Sequence, residues 1–172
     1  MKTKLIYLII ILSVFVVSSK AMAKDLRERL GLGFNTQIGQ IGLPHLDALS
    51  VRYWINQDIG IQGDFAFMDF SPRHASNEAS FGFGGKFLYN VIKETNMNLY
   101  AGGGVYVFTQ PIPDTEAGFS LSALSGIEFF FQGLPNLGFN LELDLGVRYL
   151  NDFGTAFGIS ADSINAGFHY YF

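Results

Sequence analysis

Of the 172 residues, 49% are hydrophobic, 16% aromatic and only 15% charged, with 20 Gly and no Cys. That length holds one domain or at most two small ones, and Gly this frequent, each costing a helix interior about 1 kcal/mol relative to Ala, argues against an all-helical fold. The 11 Lys and Arg are scattered through an acidic chain of pI about 5.2, so the basic footprint of a nucleic-acid partner is missing. Absence of Cys excludes disulfides, thiolate metal sites and Cys nucleophiles.

The first element is an address. Lys2 and Lys4 precede an apolar run from Leu5 to Val17, interrupted only by Ser13 and followed by Ala21-Met22-Ala23. These are the charged, apolar and small-residue regions of a secretory leader. The run is too short to cross a hydrocarbon core of about 30 Å. The expected organisation is a cleaved leader at 1–23 and a single domain at 24–172. All 15 acids and eight bases fall in that domain, giving it a net charge of −7.

From Glu28 onward, polarity alternates in runs broken by turn residues, the period-2 signature of strands with one apolar face. The first run sets Leu30, Leu32, Phe34 and Ile38 against Gly31, Gly33, Asn35 and Gln37. Next, Leu49, Val51 and Tyr53 fold about Asn56-Gln57-Asp58 onto Ile59, Ile61, Gly63, Phe65 and Phe67. Matching the apolar faces pairs Tyr53 with Ile61 and leaves Arg52 opposite Gln62. A third hairpin carries Phe81, Phe83, Gly85, Phe87 and Tyr89 through 93–96 into Leu99, Ala101, Gly103, Val105 and Val107. Its second strand is irregular, because Tyr100, Tyr106 and Phe108 sit on the polar side.

The clearest strand alternates Phe139, Leu141, Leu143, Leu145, Val147 and Tyr149 with Asn140, Glu142, Asp144, Gly146 and Arg148. Folding Ile127, Phe129 and Phe131 onto it about Pro135 pairs Phe131 with Phe139 and places Glu128 directly opposite Glu142. The last run ends at Phe172. Eight strands of about 19 residues each, connectors included, use up the domain. Tight turns at 56–58, 93–96 and 133–137 alternate with longer connectors at 40–47, 71–77, 110–117 and 151–156. The expected fold is an all-β, eight-stranded antiparallel up-and-down transmembrane β-barrel with short periplasmic turns.

Two features favour lipid on the apolar side over a lipocalin-like cavity. The polar side carries charge among Gly and Asn, as suits a lumen, and the final strand alternates Ile164, Ala166, Phe168, Tyr170 and Phe172 with Asn165, Gly167, His169 and Tyr171. With this ending the chain resembles the small outer-membrane barrels of the OmpA/OmpX-like superfamily. The resemblance implies an outer-membrane location in a Gram-negative envelope, contact with outer-membrane lipid and lipopolysaccharide, and recognition of Phe168, Tyr170 and Phe172 as an assembly signal by the barrel-assembly machinery.

Candidate chemistry is concentrated on the polar side, where Arg52, Lys86 and Arg148 face Asp64, Glu128, Glu142 and Asp144. These seven form either a selectivity ring or proton-linked gate, or an ion-pair network that plugs the barrel. An eight-stranded barrel is only just wide enough for its side chains to fill, which favours the plug. His74-Ala75-Ser76-Asn77 is similar to a stretch of the outer-membrane lipid A deacylases, but here it falls in a loop and not on a late strand. A solvated loop, and no enzyme activity, is expected. His169 reads as a hydrogen-bonded interior residue, remote from His45 and His74, so neither a metal nor a cofactor is expected. Gly102-Gly103-Gly104 lies within a strand and reads as room for Tyr and Arg side chains in a narrow lumen, or as allowance for strong curvature.

Overall fold

In the computed structural model, residues 24–38, 47–70, 78–110, 116–150, 154–158 and 164–172 are described. The expected leader at 1–23, His45 and residues 74–77 lie outside them. The strands are β1 (Leu30–Ile38), β2 (Ala48–Trp54), β3 (Ile59–Phe70), β4 (Glu78–Lys93), β5 (Met97–Gln110), β6 (Glu116–Phe130), β7 (Leu137–Leu150), β8 (Gly154–Gly158) and β9 (Ile164–Tyr171). Each pairs antiparallel with its sequence neighbour from β1 to β8, and β9 closes the ring by pairing with both β7 and β1. The short β8 pairs with the far half of β7 and β9 with its near half. Together β8 and β9 form one interrupted stave, so the barrel is a closed, eight-stranded, up-and-down one.

The first hairpin has the expected register, with Tyr53 opposite Ile61 and Arg52 opposite Gln62. The β6–β7 hairpin differs by two residues: Phe129 lies opposite Phe139, and Glu128 opposite Asn140 instead of Glu142. The turn explains the shift. Leu134 N donates to Phe131 O at 3.1 Å and Leu137 N to Leu134 O at 3.1 Å, so the bend is centred on Leu134 and not on Pro135. Gly133 supplies the left-handed corner at φ +94° that other residues adopt only at a cost. Phe131 therefore leaves the strand, and its ring packs 5.5 Å from those of both Phe129 and Phe139. Two of the four expected long connectors are also shorter: β5 extends to Gln110, β6 starts at Glu116, and Gly154–Gly158 is strand.

Alternation sends the apolar set outward. Leu49 is 62% exposed, Phe83 61% and Leu143 47%, whereas Arg52 and Glu128 inside are fully buried. The inside is also where the glycines and large rings meet. Six interior aromatics each have a Gly as direct cross-strand partner: Trp54 with Gly60, Tyr106 with Gly84, Phe108 with Gly118, Tyr100 with Gly126, Phe130 with Gly138, and Tyr171 with Gly31. The ring lies across the space a side chain would fill. A Cβ built on Gly60 would come within 2.7 Å of the Trp54 ring, one on Gly84 within 2.0 Å of Tyr106, and one on Gly126 within 2.6 Å of Tyr100. Narrow staves thus admit wide side chains without expanding the barrel. In the glycine triplet, Gly104 makes such room beside Lys86 and Tyr106, while a Cβ on Gly102 would run into the Phe87 carbonyl.

Candidate functional site

Because β2, β4, β6 and β7 all present their polar sides to the same narrow interior, their charges meet across it. Arg52 is the hub. Its Nη1 donates to Glu128 Oε1 at 3.1 Å, its Nη2 to Glu142 Oε1 at 2.9 Å and its Nε to Gln62 Oε1 at 2.7 Å. The planar guanidinium fork supplies several donors in fixed directions, and one cation thereby serves two carboxylates. Lys86 Nζ donates to the other Glu142 oxygen, Oε2, and lies 4.0 Å from Asp64.

Hydroxyls and amides complete the lattice. Tyr100 OH donates to Glu142 Oε1 at 2.6 Å, Tyr171 OH to Glu128 Oε1 at 2.7 Å, and Tyr106 OH to Asp64 Oδ2 at 2.8 Å. Asp64 Oδ1 also accepts from Asn35 at 3.0 Å and Gln62 at 2.8 Å. His169 Nε2 lies 2.8 Å from Ser50 Oγ, and Asn165 Nδ2 donates to Asp144 Oδ2 at 3.0 Å. A buried carboxylate loses its hydration and is tolerable only when donors replace the water. Here three tyrosines do much of that work. Tyr100 and Tyr106, which make β5 irregular in sequence, are two of them.

Five of the seven candidate charges (Arg52, Asp64, Lys86, Glu128 and Glu142) are thus joined in one cluster. Asp144 adjoins it and is bonded to Asn165. Arg148 sits further along β7, its guanidinium 5.3 Å from the centre of the Phe108 ring. Among the described residues, no three His, Asp or Glu side chains converge as metal ligands. Phe168, Tyr170 and Phe172 are on the outside, the last two with ring centres 5.1 Å apart.

At the turn-side mouth, residues 24–29 fold over the lumen ahead of β1. Leu26 is buried in a cluster with Trp54, Leu88, Tyr100, Leu124, Phe130 and Tyr171. Lys24 lies 5.4 Å over the Phe130 ring, and partial burial, then the nearby Arg29 charge, lower its pKa. Arg29 ties this segment to the end of the neighbouring last strand, donating to the carbonyls of Tyr171 at 2.8 Å and Phe172 at 3.1 Å. None of this is legible in the sequence, where Leu26 is one apolar residue among Asp, Arg and Glu.

No protein-family model and no curated protein sequence matches the chain. Among solved structures, the N-terminal β-barrel domain of Pseudomonas aeruginosa OprF is similar, with a TM-score of 0.53 at 13% identity over 85% of this chain and 98% of that one. Ail, the attachment invasion locus protein of Yersinia pestis, aligns at 18% identity over 84% of this chain and 95% of that one, with a TM-score of 0.39. The similarity to the OprF domain bears out the fold: a closed eight-stranded barrel.

Proposed function

We propose that the chain is an integral barrel of the bacterial outer membrane, exported by its leader and serving a structural or surface-contact role, with a lumen closed to ions. One observation carries this reading: the distribution of side chains is inverted relative to a water-soluble protein. Leu32, Val51, Phe65, Phe83, Val107, Leu121, Leu143 and Phe168, one on each stave, are exposed, while Arg52, Glu128 and Glu142 are buried. Water-soluble monomers rarely expose contiguous apolar patches above a few hundred Å². Lipid accepts such a surface, and a closed barrel has no unpaired edge to desolvate in it. A soluble carrier with an apolar cavity would have the opposite facing.

Outer-membrane lipid and lipopolysaccharide are then the surrounding partners, and the exposed Phe168, Tyr170 and Phe172 of the last stave supply the pattern for the barrel-assembly machinery that the superfamily resemblance implies. The ion-paired cluster fills the lumen at its level with buried side chains, Arg52, Lys86, Glu128 and Glu142 being at most 5% exposed, which supports a plug over a selectivity ring. Purified barrel in planar bilayers should pass no steady current, and cells should carry it in the outer-membrane fraction. A sustained wild-type current would replace this reading with a small proton or solute channel. A change in lipid A mass that depends on the protein would replace the structural role with an enzymatic one.

A further inference from the structure

We infer that residues 24–29 are a stopper over the turn-side mouth of the lumen, and that Trp54 couples its closure to the Arg52–Glu128 ion pair. The segment crosses the mouth from β1 to the β4–β5 turn, which lies on the opposite side of the ring. There Lys24 N donates to Glu94 O at 3.2 Å. Between these anchors Leu26 points into the lumen, 2% exposed, while Asp25 and Arg27 on either side of it are exposed and paired with each other. A single apolar side chain thus caps the interior where the staves end.

Trp54 belongs to both layers. Its backbone O accepts from Glu28 N at 2.8 Å and its backbone N donates to Arg29 O at 3.3 Å, which fixes the stopper. Its indole Nε1 donates to Tyr171 OH at 3.2 Å, and that hydroxyl donates to Glu128 Oε1, the partner of Arg52. Trp54 therefore joins, through its own backbone and side chain, the hydrogen bonds of the stopper to those of the central ion pair. Water entering past Leu26 would reach Trp54 and Tyr171 first and Glu128 next, weakening by screening the pair that a dry interior strengthens.

The hinge is under tension. Glu28, at the junction of stopper and β1, has φ +58°, a conformation that costs energy for a residue with a side chain. Its hydrogen bond to Trp54 and the burial of Leu26 hold it there. Detaching the stopper would release that strain, offsetting part of the cost of exposing Leu26 and lowering the barrier to opening. None of these interactions depends on which membrane surrounds the barrel.

The sequence offers two clean probes, since it has one Trp and no Cys. In detergent-folded full-length barrel, acrylamide should quench Trp54 fluorescence at least several-fold less than in the unfolded chain, and Leu26→Ser should remove most of that protection while the strand circular dichroism stays unchanged. In separate single-thiol variants, a water-soluble maleimide should modify Leu26→Cys at least about tenfold more slowly than Arg27→Cys. Adding Tyr171→Phe, which deletes only the linking hydroxyl, should speed modification of Leu26→Cys several-fold, as reciprocal coupling requires. Equal rates at positions 26 and 27, or wild-type Trp54 quenched as readily as in the unfolded chain, would overturn the stopper. A rate at position 26 that Tyr171→Phe leaves unchanged would overturn its coupling to the ion pair.

Discussion

Arg52 on β2 and Glu142 on β7 are 90 residues apart in sequence, yet their side chains meet at 2.9 Å with neither exposed to water. The contact crosses the lumen and bypasses the sheet, so it ties together staves that share no backbone hydrogen bond. Breaking such a pair on one side leaves its partners buried and uncompensated. Arg52→Met leaves Glu128 without its cation and Glu142 with Lys86 alone, and should destabilise the barrel by roughly 3–5 kcal/mol. Adding Glu142→Gln should recover part of that loss, because residues in one network are not additive. Thermal unfolding in detergent measures both, and strictly additive effects would mean that the lumen charges are screened by water.

Facing is tested by a charge placed outside. Leu143 is 47% exposed on β7, and in a bilayer Leu143→Arg should cost about 2–4 kcal/mol near the midplane, falling to about 0–1 near the interfaces. Leu134→Arg, in the β6–β7 turn, is the interfacial control. Refolding yields in liposomes that fell equally for both would contradict lipid on the apolar face.

Interior glycines should behave unlike exterior ones. Gly60→Ala and Gly126→Ala drive a methyl into Trp54 and Tyr100 and should cost about 1–3 kcal/mol, the range for overpacking. Gly63→Ala meets nothing closer than the Gly84 carbonyl at 4.0 Å, and should be near neutral. Unfolding midpoints of the three variants decide it.

Phe172 is 68% exposed and touches chiefly the Tyr170 ring, so Phe172→Ala should leave the finished barrel nearly as stable in vitro. Its yield in the outer membrane of cells should nevertheless drop, as the superfamily resemblance implies. Normal cellular yield would remove the assembly role from this residue.

Much of the architecture was legible because alternation reports facing directly: the ring of staves, the Tyr53–Ile61 register and the inward set of charges all follow from it. What alternation cannot report is a shift by two. Pairing Phe131 or Phe129 with Phe139 leaves every residue on the same face, and only the Leu134-centred turn selects the second. The expected opposition of Glu128 and Glu142 failed for that reason, although Arg52 brings both together by another route. That route was hidden because it crosses the barrel, where curvature and stagger, not hairpin spacing, decide which side chains meet.

The six ring-on-glycine pairs bear on how the folding chain avoids that same ambiguity. Slipping β5 against β6 by two residues keeps oil out and charge in, yet it would set the Tyr100 ring against Leu124 or Glu128 in place of Gly126. Moving β2 by two along β3 would likewise bring the Trp54 indole onto Gln62. The slots recur around the circumference, on β1, β3, β4, β6 and β7, and for Trp54, Tyr100, Phe108 and Phe130 a slip of two offers no second glycine. Register in those hairpins is therefore specified by shape as well as by facing.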